Sequence, residues 1–121
     1  MKWTVVFCDE FAEEFLLLDP GLRMELAAHL RVLETFGPHL GRPSADTLKG
    51  SQVANMKELR FTWQRKPYRY FFAFDPERKA VVLVGGNKAG GKRFYDALMP
   101  VAEARFENYL RQMKQQGRNT Q

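Results

Sequence analysis

The sequence predicts a small α+β domain. Its expected elements are an N-terminal strand, a helical hairpin, a three-stranded antiparallel meander forming a small curved sheet, and a C-terminal helix. Three observations carry that prediction. Leucine recurs at helical spacing through Leu22, Leu26, Leu30 and Leu33. Between residues 57 and 84 the period drops to two and is broken twice by turn residues. From Phe94 onward an apolar stripe returns at helical spacing. A chain of 121 residues holds one core. We read it as a single domain over 1–115 with a frayed Gln- and Gly-containing tail over 116–121.

Each element has its own signal. Trp3-Thr-Val-Val-Phe7 is β-branched and aromatic, hence a strand. Asp9 is the expected cap of a first helix, with Glu10 and Glu13 in its first turn and an apolar stripe of Phe11, Phe15 and Leu18. Asp19-Pro20 starts a second helix, which carries the leucine stripe until Gly37-Pro38 stops it. From Gly37 to Val53 no period is sustained, and a long surface loop is expected. In Lys57–Trp63, Leu59, Phe61 and Trp63 face one way and Glu58, Arg60 and Thr62 the other. Arg65-Lys66-Pro67 is the expected turn into Tyr68–Phe74, and Asp75–Arg78 is the next. Ala80–Val84 is the most apolar strand and is expected to be central. A basic loop, Asn87–Arg93, leads to a helix with Phe94, Leu98, Phe106, Leu110 and Met113 on one side. Pro100 predicts a kink or a short turn near its start.

Composition excludes several classes. Lone Cys8 rules out an internal disulfide and a multi-cysteine metal site, and reads as a buried inert thiol. No apolar run approaches the ~20 residues that span a bilayer, and no signal-peptide pattern opens the chain. The expectation is a cytoplasmic protein with no membrane partner. Net charge is +5, but residues 49–93 alone carry eleven Lys/Arg against three Asp/Glu. Polyphosphate is the common ligand of such a segment. A solvated basic face or an acidic protein partner is the alternative.

Gly86, Gly91 and Lys92 match the glycine and lysine spacing of a P-loop. Arg93 stands where the magnesium-binding hydroxyl belongs, which sets a nucleotidase aside. His29 and His39 lie far in sequence from the basic strands and read as structural. No His/Cys/Asp cluster has ligand spacing, so no metal and no cofactor is expected. The strongest constellation is Arg60 and Arg69, placed on one face of neighbouring strands with Lys88 leaving the third. Two readings stand equal. Glu58, on the same face, holds Arg60 in a structural ion pair, or the two guanidinium groups clamp one phosphate. The aromatic face of Tyr68, Tyr70, Phe72 and Phe74 reads as core, with base stacking as the alternative.

The run Lys57-Glu-Leu-Arg60, then Tyr68-Arg69, then Val81 to Lys88 ending in Gly-Gly-Asn-Lys resembles the RelE/ParE superfamily of bacterial toxins. The nearest match is its HigB-like, phage-derived branch. Lys92-Arg-Phe-Tyr95, the Pro100-containing helix and Leu48-Lys49-Gly50 fit that branch too, so the resemblance spans nearly the whole chain. It implies the toxin of a type II toxin–antitoxin pair. Such a toxin is a metal-independent endoribonuclease that cleaves messenger RNA, usually in the ribosomal A site. Its partner is a helix-turn-helix, DNA-binding antitoxin. By position, the resemblance makes Arg60 and Arg69 the phosphate clamp. Lys88 and Tyr95 become candidates for proton transfer or positioning, and Lys49, Lys57 and Lys92 accessory phosphate contacts. Arg65, Lys66 and Arg93 complete the RNA-binding candidates of the basic segment.

Metal-free RNA cleavage needs a base for the 2′-hydroxyl, positive charge for the phosphorane oxygens and an acid for the 5′-oxygen. Lys88 is the expected base, with Tyr95 or an arginine aiding the leaving group. The ParE-like alternative is a DNA gyrase inhibitor on the same fold. A plain RNA-binding module is the other.

Overall fold

The structure, a computed structural model, describes residues 2–119, with side chains through 116. In chain order it contains β1 (Val5–Phe7), α1 (Asp9–Leu16), α2 (Pro20–Phe36), β2 (Ala45–Thr47), β3 (Lys57–Trp63), β4 (Lys66–Phe74), β5 (Ala80–Asn87) and α3 (Lys92–Asn119). Short 3-10 turns follow α2 and β5, at Gly37–His39 and Lys88–Gly90. The sheet order is β1-β5-β4-β3-β2, with β1 parallel to β5 and every other pair antiparallel.

The α+β class and the meander are as expected, and two strands join it. The N-terminal strand pairs with β5 at one edge. At the other, β2 lies inside the segment read as structureless loop. Three residues carry no period of their own. They become a strand because Ala45, Asp46 and Thr47 pair with Leu59, Glu58 and Lys57. The sheet's middle strand is β4. The apolar β5 lies one place off centre between β1 and β4, with Ala80–Val84 all buried.

Helix starts follow the predicted chemistry with one shift. Asp9 is already helical, and Cys8 occupies the cap without a side-chain hydrogen bond. At α2 the Asp19 carboxylate accepts the Gly21 amide at 2.8 Å. Gly37 ends α2 at φ 54°, where a Cβ would overlap the Trp3 ring. The buried leucines of α2 each contribute about 1.5–3 kcal/mol of transfer free energy. With Phe11 of α1 they cover the face carrying Leu59, Phe61 and Tyr70. The Phe11 and Tyr70 rings meet edge-on at 5.7 Å. Tyr70 and Phe72 are each 1% exposed, so the aromatic stripe of β4 is core.

The β3–β4 turn falls one residue earlier than expected, because Gln64 and Arg65 both take positive φ (52° and 65°). That pattern matches a two-residue hairpin loop. Lys66 and Pro67 then open β4. In β5 the register passes from Phe71↔Val84 to Phe72↔Val82, leaving Leu83 as a bulge. The Leu83 carbonyl accepts Arg105 Nη1 at 2.8 Å, and Arg105 also grips Glu14 at 2.8 and 2.5 Å. One guanidinium thus ties α3 to β5 and α1. Farther along α3, the Tyr109 hydroxyl donates to Asp75, buried in the β4–β5 turn, at 2.9 Å.

Helix α3 crosses the second sheet face, with Tyr95 stacked on Phe71 and Phe94 meeting it edge-on. It runs through Pro100 as one helix, so the expected short turn does not form. It also continues through 116–119 of the predicted tail, and residues 120–121 lie outside the described residues.

Candidate active site

Beside the start of α3 the second sheet face carries a charged cleft. Its floor follows from strand alternation. Glu58 and Arg60 point to the same side of β3. Across β4, Phe71 pairs with Glu58 and Arg69 with Arg60, and Gly86 of β5 continues the row beyond Arg69. Glycine leaves Arg69 uncrowded from that side. The two arginines predicted to lie together are therefore direct cross-strand neighbours.

Glu58 sits between them, 7% exposed. Its Oε2 is 3.9 Å from Arg60 Nε, and its Oε1 is 3.9 Å from Arg69 Nε. Both separations are too long for a hydrogen bond. The structural ion pair foreseen for Glu58 and Arg60 is thus present but loose, and Arg69 shares it. Arg69 is 9% exposed and donates Nη1 to the Tyr68 carbonyl at 2.9 Å. Its buried Nε has no hydrogen-bond partner. An unsatisfied cationic donor at that depth is costly. Arg60 reaches outward to Asp46 Oδ2 at 3.9 Å, and Arg42 holds the same oxygen at 2.9 Å. The hydrogen bond from Arg42 and the Thr47 amide hold the Asp46 carboxyl below its ordinary range.

Tyr95, in the first turns of α3, lies flat on Phe71 with ring centroids 5.9 Å apart, and its hydroxyl donates to Glu58 Oε1 at 2.7 Å. Burial and that hydrogen bond push the phenol up to about 12, partly offset by Arg69. At neutral pH it is a locked donor. An open groove of about 530 Å³, lined by Asp46, Lys49, Glu58, Tyr95, Asp96 and Met99 among others, runs beside this cluster. A second groove is lined by Arg60 and Arg69 themselves, together with Ser44, Thr62 and His29.

The remaining candidates divide. Lys88 is half-buried in the turn two residues past Gly86, and no described carboxylate pairs with it. Lys92 and Arg93 are exposed at the start of α3, and Lys49 is exposed on the groove rim. Arg65 and Lys66 are exposed at the hairpin end. Lys57 points away from the cleft, because it shares the face of Leu59, and its Nζ donates to the Pro38 carbonyl at 2.9 Å. His39 is exposed. His29 stacks on Phe61 at 4.7 Å and bonds Glu25 at 3.2 Å, yet lines the same groove as the arginines.

Sequence reasoning treated Glu58 only as a counter-ion and passed over Asp46 and Arg42. The alternation that placed Arg60 carried a signal for Glu58. Nothing local marked Asp46, whose position depends on β2. Among the described residues no three His, Cys, Asp or Glu side chains gather as a metal site.

Residues 13–107 match the family model described as "Phage derived protein Gp49-like (DUF891)". The chain is 40% identical over 108 residues to "Putative toxin HigB3" of Mycobacterium tuberculosis, covering 88% of this chain and 93% of that protein. It is 46% identical over 89 residues to "Putative toxin HigB2" of the same organism, covering 72% of this chain and 44% of that one. The chain therefore spans less than half the length of the second relative. In structure it resembles a double mutant of E. coli toxin RelE in the free state. The TM-score is 0.57 at 16% identity, over 84% of this chain and 99% of that chain, a likeness of fold. The chain belongs to the phage-derived Gp49-like family and is a RelE/HigB-like toxin.

Proposed function

We propose that this toxin is a metal-independent endoribonuclease that cuts messenger RNA on the ribosome, restrained in its cell by a helix-turn-helix antitoxin. The observation that carries this reading is Arg69. It is a buried arginine with an Nε that no hydrogen bond satisfies, directly opposite a second arginine, and the two line one open groove. Such a pair suits a phosphodiester whose negative charge grows in the transition state. In this reading Arg60 and Arg69 hold the non-bridging oxygens, and Lys88 positions the phosphate. Lys49, Lys92 and Arg93 meet the flanking backbone. The ribosome supplies alignment, a large share of the rate in reactions of this kind. The protein then acts in the cytoplasm, in keeping with the lack of any described helix long and apolar enough to cross a membrane.

The test is a map of new messenger-RNA 5′ ends after brief induction in a bacterial host, beside an Arg60→Ala/Arg69→Ala control. Cuts within translated codons, absent in the control, are expected. Growth arrest with intact transcripts would overturn the reading and turn attention to gyrase.

A further inference from the structure

We propose that Glu58 is the general base of the cleft, its carboxylate taking the proton of the attacking 2′-hydroxyl. The inference rests on the ribonuclease reading and deepens it. It reassigns the base from Lys88, which keeps a positioning role.

The protein itself supplies the comparison that separates a structural carboxylate from a working one. Glu14 meets Arg105 through short hydrogen bonds of 2.8 and 2.5 Å, the fork geometry of a pair that fastens elements together. Glu58 is more deeply buried, lies between two arginines, and hydrogen-bonds neither. An ion pair kept for stability at that depth closes its hydrogen bonds. This one leaves a gap on both sides.

The two oxygens of Glu58 are not equivalent. Oε1 is taken by the Tyr95 hydroxyl, whose ring is fixed by Phe71. That bond sets the orientation of the carboxylate. Oε2 accepts no hydrogen bond from a described residue and has only Arg60 Nε, at 3.9 Å. Glu58 also lines the groove with Lys49 and Tyr95. A phosphate seated on Arg60 would stand next to this oxygen, because Arg60 Nε flanks Oε2 while Arg69 Nε flanks Oε1. Attacking hydroxyl and base then come within hydrogen-bond reach, the geometry general-base catalysis requires.

The step balances. Glu58 Oε2 accepts the 2′-hydroxyl proton as the 2′-oxygen bonds to phosphorus. The bond from phosphorus to the 5′-oxygen breaks, and that oxygen takes a proton from water in the open groove. The products are a 2′,3′-cyclic phosphate and a 5′-hydroxyl. Glu58 then returns its proton to solvent.

The test is single-turnover cleavage of a messenger RNA on bacterial ribosomes by wild type, Glu58→Gln and Glu58→Asp, with melting temperature and ribosome affinity measured alongside. Glu58→Gln should lose about 10²-fold or more. It should bind at least as tightly, since a negative charge beside the phosphate is gone. Glu58→Asp should keep cleavage at a reduced rate. A Glu58→Gln rate within about threefold of wild type overturns the proposal, and so does a loss that tracks melting and vanishes on cooling. If Glu58→Gln does not fold, Glu58→Asp decides, and a rate within about threefold of wild type or a loss that tracks ribosome affinity overturns it. These outcomes leave the ribonuclease reading standing. A wild type that cuts nothing overturns both.

Discussion

Arg60 and Arg69 stand directly opposite one another on β3 and β4, two cations at positions where like charges oppose folding. Among the described residues Glu58 lies between them, at 3.9 Å from each Nε. Stability alone would not favour this pairing, and the two arginines should respond differently to removal. Arg60→Ala takes away a half-exposed cation while Glu58 keeps Arg69 and Tyr95, so unfolding free energy should change by less than about 1 kcal/mol. Arg69→Ala leaves a buried carboxylate with one partner fewer and should cost about 1–3 kcal/mol. Each should lower cleavage by about 10²-fold or more. Urea denaturation beside a cleavage assay separates the effects, and equal stability losses would contradict this account.

The tyrosines predict an alkaline limit to stability. Tyr95 and Tyr109 are both pushed up to about 12, by burial first and then by hydrogen bonds to Glu58 and Asp75. Burial raises Tyr70 as well. An unfolded chain releases these protons near pH 10 while the folded one retains them, so the unfolded state binds fewer protons above that point. Stability should therefore be level below about pH 10 and fall toward about pH 12. Melting temperature followed across that window should show the decline, and Tyr95→Phe/Tyr109→Phe should make it shallower.

Gly85 and Gly86 offer a contrast within one strand. A Cβ on Gly85 would overlap the Tyr70 ring and the Arg69 carbonyl, whereas one on Gly86 would come no closer than 3.8 Å to Phe94. Gly85→Ala should destabilise by about 1–3 kcal/mol or more and displace the strand bearing Arg69. Gly86→Ala should be tolerated in stability. Paired chemical denaturation curves check both, and a tolerant Gly85→Ala would mean the strands can part at little cost.

Much of this architecture was written in local pattern. The leucine stripe of α2, the Asp19-Pro20 start and the alternation of β3 are set by side-chain period and backbone chemistry within a few residues. Periodicity alone therefore put Arg60 and Arg69 on one face. What escaped was set by partners distant in sequence. β2 is a strand only because β3 offers it an edge, so Asp46 and Arg42 had no local mark. The turn position depended on two non-glycine residues accepting positive φ. Lys57 lay in the basic segment but on the wrong parity of β3, a distinction total charge cannot make. The loose geometry of Glu58 depends on where α3 brings Tyr95, 37 residues later.

The division of the lysines and arginines by face gives a test in salt. Each phosphate contact on a single strand adds about 0.7 to the slope of log affinity against log salt. Lys49 lines the groove beside Glu58, and Lys88, Lys92 and Arg93 lie in the turn after β5 and at the start of α3, so on the proposed reading alanine at each should reduce that slope by about this amount and weaken binding for any RNA sequence. Lys57 is turned to the Pro38 carbonyl on the opposite face, and Lys57→Ala should leave the slope unchanged. Arg65 and Lys66 lie at the far end of the hairpin and separate two path lengths. A slope lowered by their removal means the RNA runs the full length of β3 and β4, and an unchanged slope confines it to the region of Tyr95 and Lys88. Fluorescence titration of a short single-stranded RNA at several salt concentrations measures each slope, and a Lys57→Ala effect equal to that of Lys88→Ala would show that the cleft is not where RNA lies.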